Sequence, residues 1–175
     1  MTIAEYCYSI AGAGNHEGAE EIRVRPMALA LSLISEGFSV IPLCRDGKIP
    51  TRKWKPYQER LATMDELIEW FIENDYTPAI VTGPISGITA IDCDSPEAIQ
   101  EAESCFITSE LTQATKRGRH FIFRHSGERN TVKVGGTPGI DRRGQGGYIK
   151  AYPDSIHWTR EAVNQAPFLN PIYGN

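Results

Sequence analysis

SGITAIDCDSPEA, residues 86–98, leaves a glycine turn, runs through apolar residues of strand type and ends in two carboxylates, Asp92 and Asp94, before Ser95 and Pro96 open a helix. Side chains two apart on a strand share a face, so Asp92 and Asp94 project together and Cys93 points away. Two like charges that close are unfavourable unless a cation sits between them. Magnesium or manganese meets that need, because hard divalent ions prefer carboxylate oxygen and leave coordination positions for substrate phosphates. A plainer reading stands beside it: Asp94 helps to cap the following helix and Asp92 is solvated at a strand end. The stretch alone leaves both open.

Upstream, PAIVTG (78–83) is a second short strand, joined to the first by the turn GPISG. Further back, RPMALALSLISEGFSVIPL (25–43) reads as a helix with Pro26 in its first turn and Gly37 at its stop, followed by a buried strand from Phe38 to Leu43. Residues 1–25 read as a loosely structured lead-in, and 26–175 as one domain. TMDELIEWFIEN (63–74) opens on a capping box, Thr63 with Glu66, and carries an amphipathic helix. Downstream, Ser95 caps a helix to about Ser104, and ELTQAT, RHFIFRH, GID and GGYIKAY follow as strands with glycine-rich turns. Hairpins mixed with helices, without strict β-α alternation, predict an α+β fold with helices on one face of a sheet.

The chain has 175 residues, enough for a single domain that buries its core without covalent staples. Its four cysteines, Cys7, Cys44, Cys93 and Cys105, are scattered with no CxxC pair, which argues against structural zinc and for a reducing, cytoplasmic setting. No apolar run reaches membrane-spanning length and no secretory leader is visible, so no membrane partner is expected. The net charge of −4 is unevenly spread: Glu59 to Glu110 holds 12 acids against Arg60 alone, whereas Lys116 to Lys150 holds nine Lys or Arg against Glu128 and Asp141. A second basic cluster, Arg45, Lys48, Arg52, Lys53 and Lys55, lies in the loop CRDGKIPTRKWKPYQ. These two regions attract phosphate.

Within RHFIFRH, alternation places His120, Ile122 and Arg124 on one face and Phe121 and Phe123 on the other. The preceding turn gathers Lys116, Arg117 and Arg119 around Gly118, a composition suited to a phosphate site. The phenylalanines read as core, and His120 as either part of that site or a surface residue of a basic hairpin. Asp141 follows an apolar residue on another short strand, beside Arg142 and Arg143; it is a third acidic ligand or an ordinary partner of those arginines.

Taken in order, four segments resemble the N-terminal domain of bifunctional DNA primase/polymerases, within the archaeo-eukaryotic primase superfamily. They are GFSVIPL…GKIP…W from Gly37 to Trp54, TGxxSGIxxIDxD from Thr82 to Asp94, RGxHxxF from Arg117 to Phe123, and GIDxRGxGGYxxAxPxS from Gly139 to Ser155. The resemblance implies the primase catalytic core, a mixed or antiparallel RRM-like sheet flanked by helices. It implies that Asp92, Asp94 and Asp141 bind two catalytic Mg2+ or Mn2+ ions and that His120 contacts the triphosphate of the incoming NTP or dNTP. Arg119, Lys116, Arg117, Arg142 and Ser155 are then expected around the nucleotide. Lys48, Arg52, Lys53, Lys55 and Arg143 are expected along single-stranded template and primer, with Trp54 either stacking on a base or packing in the core. Arg119 stands where the family carries a second glycine, and AYPDS where it commonly reads APPS.

The implied activity is template-directed nucleotidyl transfer in replication, as a polymerase, a primase or both, beside an attached or separate helicase. The alternative is a nucleic-acid-binding or regulatory module without the chemistry. A rolling-circle nickase is disfavoured, because that class needs two histidines around one bulky residue, and His120 and His125 lie five apart.

Overall fold

The apolar run at 88–93 becomes a strand buried at all six residues, and the rest of the fold is laid around it. The computed structural model describes residues 17–45, 47–105, 107–152 and 158–170, with side chains from residue 26 onward. Among the described residues seven strands form two antiparallel sheets. Strands β1 (Val40–Leu43), β2 (Thr77–Val81) and β7 (Tyr148–Lys150) make a three-stranded sheet in the order β1-β2-β7. Strands β3 (Ile88–Cys93), β4 (Thr112–Ala114), β5 (Arg119–Arg124) and β6 (Ile140–Arg143) make a four-stranded sheet in the order β4-β5-β3-β6. Every pairing between these strands is antiparallel, so the mixed option is not used.

All six residues of β3 are buried, which a strand with neighbours on both edges and cover on both faces requires. On one face Ile88 and Ala90 join Ile122, the three-stranded sheet and the helices α1 (Glu17–Ser35) and α2 (Met64–Ile68) in one apolar cluster. On the other, Ile91 and Cys93 pack with Phe121, Phe123 and Ile140 against Ala98 and Ala102 of α3 (Pro96–Ser104). The phenylalanines are thus core, each worth roughly 1.5–3 kcal/mol of burial. Helices therefore cover both sides rather than one, because both faces of the four-stranded sheet are apolar.

Local signals explain most element ends. Gly37, at φ +79°, closes α1 as its N–H donates to the Ile34 carbonyl and that of Phe38 to Leu33. Thr63 and Glu66 form the expected capping box, and Ser95 caps α3 by accepting from Ala98 N–H. The segment after α2 continues as a π-turn, Glu69–Glu73, and a short α4 (Arg160–Gln165) follows Trp158. The start of α1 departs from the sequence reading. The helix begins at Glu17, with Pro26 in its interior. A proline there forgoes one helical hydrogen bond, and burial of Met27, Ala30, Leu31 and Leu33 beyond it supplies the compensating packing. Among the described residues Cys44, Cys93 and Cys105 are free thiols, and no helix is long and apolar enough to cross a membrane.

Candidate active site

One row of polar side chains crosses the four-stranded sheet. Registers pair Gln113 with His120, His120 with Asp92, and Asp92 with Asp141, one residue from each of β4, β5, β3 and β6. Residues directly opposite in antiparallel strands share a face, so these four side chains lie side by side. Gln113, His120 and Asp92 are all buried. His120 Nε2 lies 3.2 Å from Asp92 Oδ1, and Gln113 Nε2 lies 2.9 Å from His120 Nδ1.

The orientation of the Gln113 amide follows from its other partners. Its nitrogen faces the Lys150 carbonyl at 2.8 Å and its oxygen faces the Tyr152 N–H at 3.3 Å, so a flipped amide would oppose acceptor to acceptor and donor to donor. The nitrogen can only donate, which makes His120 Nδ1 an acceptor and leaves the ring proton on Nε2, facing Asp92. Burial pushes the Asp92 carboxyl up, but the His120 imidazole and the charges of Lys48 and Arg143 outweigh it and hold it below the ordinary aspartate value. His120 thus has both nitrogens engaged within the row, and its contact is with the acid.

Asp94 lies just past the end of β3, where its N–H donates to the Gly139 carbonyl and its carboxylate faces Lys48 Nζ at 3.4 Å and Arg117 Nη2 at 3.8 Å. The capping role belongs to Ser95, so the plainer reading of Asp94 does not hold. Asp92 and Asp94 open into a cavity of about 150 Å³ whose cations are Lys48, Lys116, Arg117, Arg143 and Lys150. Five positive side chains around two carboxylates suit an anion bound next to a metal. The basic loop is held at this cavity by Tyr148, whose hydroxyl donates to the Lys48 carbonyl at 2.8 Å and whose ring meets Trp54 edge-on at 5.3 Å. Trp54 therefore packs against the protein's own core.

Gly118 acts differently from the reading given to its turn. A Cβ there would stand 1.8 Å from the Cys93 carbonyl oxygen, and the Gly118 N–H is already taken by Thr115 Oγ1 at 3.0 Å. The glycine lets the 115–118 turn close over the end of β3, which brings Lys116 and Arg117 beside Asp94.

Several expected site residues lie elsewhere. Arg142 is on the opposite face from Asp141, buried, and donates to the Arg129 carbonyl and Thr131 Oγ1. Arg119 shares the face of Phe121 and reaches Glu103 on α3 at 3.4 Å. Arg52 pairs with Glu69. Lys53 is exposed, and Lys55 borders a separate polar groove with Gln58, Thr82 and Gln145. Ser155 lies outside the described residues. Conversely, Gln113, Lys150 and Tyr152 belong to the site and were not singled out from sequence. Pairing the hairpin around Thr115–Gly118 would have placed Gln113 opposite His120.

Asp141 stands next to Asp92 but does not line the cavity. Its Oδ1 accepts from the Lys133 backbone N–H at 3.0 Å and its Oδ2 from Arg143 Nη2 at 2.7 Å, and the same Nη2 lies 3.5 Å from Asp92 Oδ2. Among the described residues no three His, Cys, Asp or Glu side chains are close enough together to hold a metal ion as they stand. The donor chemistry nevertheless fits a hard divalent ion: the acids supply only oxygen, and a cation already bridges Asp92 and Asp141.

In sequence the chain matches no curated protein. The family model described as bifunctional DNA primase/polymerase, N-terminal, matches residues 30–171, a span that holds every strand and the entire polar row. With that span covering most of the chain, the protein belongs to the bifunctional DNA primase/polymerase N-terminal domain family.

Proposed function

We propose that the chain is a template-directed nucleotidyltransferase that extends a primer on single-stranded DNA from dNTP or NTP, in the cytoplasm and beside a helicase. Asp92, Asp94 and Asp141 would hold Mg2+ or Mn2+. The observation that carries this reading is a cavity lined by Asp92, Asp94 and five cations, with Asp141 paired to Asp92 in the register of β3 and β6. When bound, the metal supplies charge neutralisation at the phosphates and eases deprotonation of the attacking 3′-hydroxyl. The protein's own groups do the rest by position. Lys48, Lys116 and Arg117 face the cavity and neutralise triphosphate oxygens. His120, held by Gln113, fixes the Asp92 carboxylate. Lys53 and Lys55 extend the basic surface along template phosphates.

Primer-extension and primer-synthesis assays with Mg2+ or Mn2+, giving dNTPs and NTPs separately, test the proposal. Asp92→Ala, Asp94→Ala and Asp141→Ala should each lower incorporation by about 10³-fold or more, the scale of several kcal/mol of lost charge stabilisation. Wild-type rates in any one would remove that residue from the site. A second reading, a nucleic-acid-binding module without the chemistry, draws on the engagement of both Asp141 oxygens by protein donors. It expects template binding with no incorporation under any of these conditions.

A further inference from the structure

The place of Arg143 is set by the same register that builds the polar row. It lies two residues beyond Asp141 on the same face of β6, opposite Ala90, whose methyl leaves room beside Asp92. From there Nη2 reaches between two carboxylates, 2.7 Å from Asp141 Oδ2 and 3.5 Å from Asp92 Oδ2. Among the described residues these are its only close acidic partners, and both are met by a single nitrogen rather than by the two-pronged grip a guanidinium offers. The side chain is a quarter exposed and lines the cavity. It is therefore a cation held by one short hydrogen bond, to Asp141, where two acids converge, with open space beside it.

We propose that Arg143 is a built-in counter-cation: it offsets one of the two charges of the Asp92–Asp141 pair in the metal-free protein and leaves that gap for the cavity when a divalent ion enters. The proposal rests on the reading of these acids as a metal site. Its electrostatics are simple. Two carboxylates with one guanidinium carry a net −1, and without the guanidinium −2, so removing Arg143 strengthens the attraction for a dication instead of weakening the site. A cation that faces phosphate and not the gap between Asp92 and Asp141 would change affinity for metal alone by less when removed.

The test is Mn2+ titration of the full chain without nucleotide, followed by the electron paramagnetic resonance signal of free Mn2+, for wild type, Arg143→Met, Lys48→Met and Asp92→Asn. Arg143→Met is expected to tighten Mn2+ binding about tenfold, and Lys48→Met, which removes a charge facing Asp94 and not the gap, by less than about threefold. Asp92→Asn should abolish binding. Unchanged or weaker binding in Arg143→Met while Asp92→Asn still abolishes it would overturn the role of Arg143 and leave the metal site standing; equal tightening by Lys48→Met would overturn it too. Undiminished Mn2+ binding in Asp92→Asn would sink the metal site and this inference together. Should Arg143→Met fail to fold, Mg2+ titration of the wild type by nuclear magnetic resonance decides: the Arg143 Nε–H signal should move with saturation, and a stationary signal overturns the proposal.

Discussion

Gln113 carries no charge and touches no expected substrate, yet its amide decides which nitrogen of His120 carries the proton. The three partners of that amide leave one consistent proton arrangement, so Asp92 is presented with a donor fixed from behind. Gln113→Leu should keep the fold but release the imidazole to a mixture of tautomers, read as a change in the ¹⁵N shifts of His120. A loss of incorporation of about 10-fold to 100-fold should accompany it, the scale seen when residues that orient metal ligands are removed. Unaltered His120 shifts would show that the amide does not set the tautomer. Arg142 and Arg143 show the complementary lesson: adjacent on β6, they lie on opposite faces, one bonded to the Arg129 carbonyl and the other set between two acids.

Among the elements, α2 is only five residues long and depends on its start. Glu66 closes the capping box onto Thr63 N–H at 2.8 Å and also accepts from Arg60 and from the Tyr57 hydroxyl. The hydrogen bonds from Arg60 chiefly, opposed by partial burial, lower its pKa from 4.5 to about 2. A carboxyl depressed on folding adds stability above its unfolded pKa and loses it as pH falls through the folded one. Glu66→Gln should therefore lower the melting temperature at pH 7, with the gap to wild type closing between pH 4.5 and about 2. Thr63→Ala, which removes a hydroxyl cap worth about 1 kcal/mol, should keep its gap across that range. A Glu66→Gln gap that is equally wide at pH 2 would count against the ionic contribution.

Across the whole molecule, Arg160 ties together parts distant in sequence. Its backbone N–H donates to Glu36 Oε2, its Nε to the Glu36 carbonyl and its Nη1 to the Ser86 carbonyl, while the guanidinium stacks on Phe38 at 4.4 Å. The end of α1, the turn leading into β3 and the start of α4 thus meet on one side chain. Arg160→Leu should cost about 2–3 kcal/mol, the scale of one or two hydrogen bonds from a charged group, read as a lower denaturant midpoint at unchanged slope. Arg160→Lys should not restore it, because an ammonium cannot span both carbonyls from one plane. A midpoint equal to wild type in Arg160→Leu would show that packing around Phe38 suffices without the side chain.

What the amino-acid order determined by itself is what alternation and capping can encode locally: the strand at 88–93, Asp92 and Asp94 sharing a direction, Phe121 and Phe123 turned from His120, and helix starts at Thr63 and Ser95. These depend on residues within a few positions of one another, where backbone geometry leaves few choices. The family motifs, read in order, carried the fold class. The tertiary structure alone decided that Gln113, His120, Asp92 and Asp141 form one row, that Arg119 turns to Glu103, and that Arg143 bridges two acids. The order of strands in a sheet and the register between β3 and β6 are set by burial of both sheet faces, a property of the packed molecule that no local window contains.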